Sequence, residues 1–215
     1  MYTPMEDFAL EIRDNMQDSK TLSSFVDDNS GDLSLKPSFD PRPVKITPKA
    51  FLELGKIYCK SHKSNREIAY IGLIDEENLI FKNFLMGCLG SHGLCDWTDG
   101  NLLERAYSAN KKTGLNLSLG HNHPRGYGAF CSDVKWGKRE WLSISKKDDP
   151  VLTPILKSKI YQKHAADYCI MFTWAQIDPR FSKFNIIMSP RMGQVGIFEV
   201  RDKGRVIYHP WEVVI

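Results

Sequence analysis

No stretch of the 215-residue sequence approaches the roughly 18 consecutive apolar residues that a membrane-spanning helix needs. A membrane partner is therefore not expected. The opening residues, MYTPMEDFALEIRDNM, are acidic where a secretory leader would be basic and then unbroken in apolar character, which points to a cytoplasmic protein. Cysteine is sparse: Cys59, Cys88, Cys95, Cys131 and Cys169 form an odd, scattered set of five without a C-x-x-C pair. Such a set argues against a disulfide framework and predicts reduced, buried thiols. Internal repeats and low-complexity tracts are also missing, which removes solenoids and fibrous chains from consideration.

What is present is the material of a packed domain. With 42% hydrophobic and 11% aromatic residues, the chain can bury a sizeable core and reads as one globular domain with an appendage. The net charge of +3 is unevenly spread. Residues 1–40 hold nine acidic and three basic side chains, a balance of −6, and residues 41–215 hold 17 acidic and 26 basic, a balance of +9. A basic body suits nucleic acid or an acidic protein surface, and an acidic leader suits that body or a protein partner. The plainer account of both runs is solvated surface.

Residues 19–43, SKTLSSFVDDNSGDLSLKPSFDPRP, are rich in Ser, Asp and Pro without sustained periodicity, so 1–43 is read as an acidic extension and linker. Phe8, Ile12 and Met16 space a short amphipathic helix before it, and the compact domain is expected to span 44–215. Thr47 before Pro48 marks a helix start, and Phe51, Leu54, Ile57 and Tyr58 predict a helix of about 15 residues ending near Ser61. Glu67 leads into IAYIGLID, a short apolar run that reads as a buried strand, with ENLIFKNFLM as its antiparallel partner. GCLGSHGLCDWTDG, 87–100, is loop by composition, and Thr98 or Asp99 is placed to cap a second helix with Leu102, Leu103 and Tyr107 inward and Gly114 as its stop. Leu115, Leu117 and Leu119 alternate with Asn116 and Ser118, predicting a half-buried strand. A helix through VKWGKREWLSIS and a longer connection at 144–166 follow, and then the strands DYCIMFTW, FNIIMS, VGIFEV and RVIYHPWEVV.

The chemistry concentrates in LSLGHNHPRGYGAFCSDV, residues 117–134. A strand ending in His-x-His points both imidazoles to one side, because side chains two apart share a face. Zinc takes nitrogen and oxygen donors in a tetrahedron, and catalytic sites use three protein ligands. His121 and His123 supply two nitrogens, and Asp133, returned by a loop made tight by Pro124, Gly126 and Gly128, is placed to supply an oxygen. The alternative on spacing alone is two hydrogen-bonded loop histidines. Cys88, His92 and Cys95 offer a second donor set, but C-x3-H-x2-C is an unusual spacing without a clear fourth ligand, and a structural loop is the preferred reading.

HNHP, a glycine-containing loop and an acidic residue at a helix start resemble the signature of the JAMM (MPN+) zinc metalloprotease family, as does the order of elements from ITPKAFLELGKIYCKSHKSNREIAYIGLI onward. The resemblance covers roughly residues 44–215. It implies an α/β fold of the α+β type, cytidine-deaminase-like, with a mixed central sheet flanked by helices. It also implies a zinc ion on His121, His123 and Asp133, Glu67 as the general base, and Ser132 as an oxyanion donor. The implied substrate is a conjugate of ubiquitin or a ubiquitin-like protein, cleaved at the isopeptide or peptide bond after its C-terminal tail, with 87–100 bordering the tail groove and 144–166 selecting the conjugate. On the residues alone Glu67 would be a solvated carboxylate at a strand start.

Two departures stand out. Nine residues intervene between His123 and Asp133, one fewer than the family pattern has, and the strict serine position falls on Phe130. Asp133 is chosen because the apolar Val134 after it keeps the following helix in phase. The alternative alignment puts Ser132 on the family serine and Lys135 on the aspartate, which abolishes the third ligand; Cys131 is a further candidate ligand. Three rivals follow: a catalytically inactive MPN-type scaffold, a RadC-like nucleic-acid-associated protein, and another metallohydrolase such as a deaminase. Helix-hairpin-helix glycine motifs and aromatic-studded basic strands are missing, so nucleic acid is not the expected partner, and the deaminase Pro-Cys-x-x-Cys is missing as well.

Overall fold

The computed structural model describes residues 38–90, 95, 97, 101–124, 174–175, 178–201 and 205–214. The expected N-terminal helix, the helix after Asp133 and the connection at 144–166 lie outside these residues. Eleven principal elements follow one another: β1 (Ser38–Phe39), β2 (Val44–Ile46), α1 (Pro48–Ser64), β3 (Ile68–Asp75), β4 (Ile80–Leu89), α2 (Leu102–Thr113), β5 (Asn116–Asn122), β6 (Phe184–Ser189), β7 (Gln194–Arg201), β8 (Arg205–His209) and β9 (Trp211–Val213). None of the described helices is long and apolar enough to cross a membrane.

Local chemistry explains most of the boundaries. Thr47 Oγ1 accepts the Ala50 N–H and Pro48 opens α1, as the sequence predicts. The helix runs three residues past Ser61, because Ser61 is buried inward and the chain turns only where Asn65 takes a left-handed conformation. Leu54 and Ile57 are fully buried on its inner face, each contributing about 1.5–3 kcal/mol. β4 starts later than its apolar run suggests: Asp75 accepts from the Asn78 backbone and side chain, and this turn consumes residues 76–79. It then continues through Gly87–Leu89, which reads as loop by composition, pairing Leu89 with Ile68 across a bulge. A Cβ at Gly87 would stand 2.7 Å from the Ala69 carbonyl oxygen, so this strand approach needs glycine.

The N-cap position of α2 falls on Asn101, not on Thr98 or Asp99, without a side-chain capping bond, and Gly114 ends the helix in the left-handed conformation as expected. Its buried residues are Leu102 and Ala106, with Leu103 and Tyr107 packed at the margin. β5 is not half-buried: from Leu117 to Asn122 every residue is inside. The sheet is covered on both faces, so the alternation of leucine with polar residues marks two buried faces instead of one wet one. Cys88 is exposed, contrary to the expectation of buried thiols, and Trp174, read as strand, sits in a helical turn with Ala175.

All nine strands join one mixed sheet in the order β1-β8-β7-β6-β5-β3-β4-β2-β9, with β5 at its centre. β3 pairs antiparallel with both β4 and β5, and β5 runs parallel to β6. β8 and β9 are separated only by Pro210 yet stand toward opposite ends of this order, and residues 38–46 run beside them in parallel, Ser38 with Ile207 and Ile46 with Val213. The sheet therefore curls into a nearly closed barrel. One core cluster joins α1 to β2, β3, β4, β6 and β7; strands about 4.8 Å apart can share one helix across that span only if the sheet wraps around it. A second cluster joins α2 and Trp97 to the opposite face of β3, β5, β6, β7 and β8.

Candidate metal centre

The central strand ends at the histidines. By period-2 alternation His121 and His123 share the face of Leu117 and Leu119, beneath α2, and the register pairs Ala69 with His121. Both imidazoles are buried, at 3% and 6% exposure, and their Nε2 atoms face each other at 3.0 Å. At that distance the pair is a hydrogen bond when one ring carries its proton on Nε2. It is also close to a chelate: a tetrahedral ion with Zn–N bonds of about 2.0–2.1 Å holds two nitrogens roughly 3.3 Å apart, so a few tenths of an ångström separate the two arrangements. The donor chemistry and the spacing both fit zinc.

Contacts from several sides brace this strand end. The Trp97 Nε1–H donates to Gly120 O at 2.9 Å, and its ring stands edge-on to His121 with centroids 5.8 Å apart. The Tyr70 hydroxyl donates to His121 O at 3.0 Å, with Ile186 O at 3.3 Å sharing the proton. Burial pushes the Tyr70 phenol well above its ordinary pKa, so it stays a neutral donor. The His123 N–H donates to Met188 O at 2.8 Å. Asn122, between the histidines and fully buried, points to the α1 face and binds Ile68 N and Arg66 O.

Glu67 is half-buried at the start of β3, where its carbonyl accepts the Gly90 N–H at 2.7 Å. Continued by two residues, the β3–β5 register sets Glu67 across from His123, on the face of the two imidazoles. The structure thus brings two of the five predicted site residues, His121 and His123, into contact, with Glu67 just before the neighbouring strand. Asp133 and Ser132, with Cys131, lie outside the described residues. Among the described residues no group of three or more His, Cys, Asp and Glu side chains is gathered tightly enough to hold a metal. Of the second donor set, Cys95 packs against the α2 core, Cys88 is exposed, and His92 lies outside the described residues.

Composition and spacing do not single out Tyr70, Trp97, Asn122 or Gly120. A usable signal existed for Asn122: a polar residue inside a strand covered on both faces must have partners. Gly120 is required by Tyr70, because an added Cβ would stand 2.1 Å from Tyr70 Cε2 and 2.5 Å from Cδ2. That ring is wedged in the core with its hydroxyl anchored, so it has little room to move. Gly120→Ala is expected to lower stability by about 3 kcal/mol, at the upper end of overpacking costs, read as a reduced midpoint in urea unfolding. A midpoint within error of wild type would mean that the ring is free to give way.

Compared with known proteins, the sequence matches no protein-family model and no curated relative.

Proposed function

We propose that this chain is a zinc-dependent metallopeptidase of the JAMM type, hydrolysing the isopeptide or peptide bond that follows the C-terminal tail of ubiquitin or a ubiquitin-like protein. The observation that carries the reading is the facing pair of buried Nε2 atoms at 3.0 Å; Glu67, just before the strand that pairs with theirs, supports it. Supporting it are the mixed sheet with a helix on each face and the order of elements, which suit the cytidine-deaminase-like MPN fold.

His121 and His123 would hold the ion with Asp133 as the third protein ligand. When bound, zinc would acidify a water and polarise the scissile carbonyl. Glu67 would be the proton carrier at this site, its carboxylate serving first as base toward the attacking water and then as acid toward the leaving amine. Ser132, or a backbone N–H near it, donates to the oxyanion of the tetrahedral intermediate, a contact typically worth ~3 kcal/mol. Trp97 and Tyr70 keep the imidazoles in register, which limits the reorganisation that ligation demands.

Metal analysis tests the ligand set. Purified wild type is expected to carry about one zinc per chain, Asp133→Ala to lose most of it, and Cys131→Ala to keep it. Zinc retained in Asp133→Ala and lost in Cys131→Ala would move the third ligand to the thiolate. Zinc retained in both would place the third ligand elsewhere, and wild type that takes up no zinc would favour the inactive-scaffold reading.

A further inference from the structure

We infer that Asn122 is a positioning residue for Glu67: its side chain fixes where that carboxylate stands relative to the histidines. This rests on the assignment of Glu67 as the general base. Because His121 and His123 share one face, Asn122 points to the other, toward α1, and is not a ligand to the same ion. Its Oδ1 accepts the Ile68 N–H at 2.8 Å, and its Nδ2 donates to Arg66 O at 3.3 Å and to Ser61 Oγ in a short contact. Arg66 O belongs to the peptide group before Glu67 and Ile68 N to the one after it. One amide therefore grips both peptide planes that meet at the Glu67 Cα.

The position of the grip matters. Backbone pairing between β3 and β5 ends at Ala69 and His121, two residues short of Glu67. Beyond that point the Asn122 side chain substitutes for the ladder, offering an acceptor and donors on separate atoms of one planar group, whereas a hydroxyl carries both roles on one atom and a carboxylate has no donor. Two further contacts close the frame: Ser61 Oγ donates to Arg66 O at 3.3 Å, and Gly90 N–H donates to Glu67 O. The residue between the ligands and the residue proposed as base are thereby one mechanical unit. A displacement of about 1 Å in a reacting group is enough to cost on the order of a hundredfold in rate.

The test uses the full chain, an isopeptide-linked ubiquitin dimer as probe, and metal analysis. Asn122→Ala is expected to keep one zinc per chain and a KM within about twofold, to lower kcat by about 10- to 100-fold, and to speed amide exchange at Ile68. Asn122→Asp, nearly isosteric, covers the case in which the alanine variant does not fold; it keeps the acceptor for Ile68, loses the donor to Arg66 and should also lose kcat. In a Glu67→Gln background, Asn122→Ala should have little further effect, because a positioning residue has nothing left to position. Equal losses in both backgrounds, wild-type kcat in the folded Asn122 variants, or unchanged Ile68 exchange would overturn the inference while leaving Glu67 as base. If zinc-loaded wild type is no more active than Glu67→Gln, the base assignment itself has failed, and the role of Asn122 in catalysis falls with it.

Discussion

Glu67→Gln is expected to retain a full zinc complement and an unchanged KM while losing about 10²- to 10⁴-fold in kcat, the usual worth of a general base. Glutamine matches glutamate in size and still hydrogen-bonds, so the half-buried strand start, its Gly90 contact and the Asn122 grip should all survive. What the amide cannot do is accept a proton. The loss corresponds to about 3–5 kcal/mol of transition-state stabilisation and should fall on kcat, because the carboxylate acts on the reacting water and not on substrate binding. The measurement is kcat on the ubiquitin-dimer probe, paired with zinc content in the same preparation. A rate within about tenfold of wild type would return Glu67 to the status of a solvated strand-start carboxylate, with the register alone explaining its position.

Much of the frame around this site was legible, and the reasons differ from element to element. Thr47-Pro48 is a local signal, a cap and a fixed φ, and the structure uses it as read. IAYIGLID is continuous in apolar character because β3 lies near the middle of the sheet with a helix on either face. The same two-sided burial hid the nature of β5. Asn116 and Ser118 look like a solvent-facing pair, yet Ser118 is fully buried, as is Asn122 on the same face, and the position of α1 inside the curl of the sheet makes that so. Gly87–Leu89 misled for a related reason: glycine there serves close approach to Ala69, and strand pairing is a long-range fact that composition does not encode. The pairing of Ser38–Phe39 with β8, inside a stretch that reads as linker, is likewise set by a partner some 170 residues away, at the far end of the chain. For the candidate site, the two histidines are legible because their spacing is itself the chemistry. The parts that brace them come from Trp97 and Tyr70, remote in sequence and joined only by the fold.

Zinc is expected to raise the melting temperature of the wild-type protein, and His123→Ala to abolish most of that shift. An ion that binds only the folded chain stabilises it by RT ln(1 + [Zn]/Kd), about 2.7 kcal/mol at a hundredfold excess over Kd. For a domain of roughly 150–250 residues that is a rise of about 5–10 °C. Both rings are buried, so either truncation also opens a cavity and lowers the metal-free melting temperature. The loss should be larger for His121, which lies within the strand against the Trp97 ring, than for His123 past the end of β5. A zinc-dependent rise that persists in both variants would place the ion elsewhere on the chain, with Cys88, His92 and Cys95 the next set to substitute, and the facing imidazoles would then be a core hydrogen bond and nothing more.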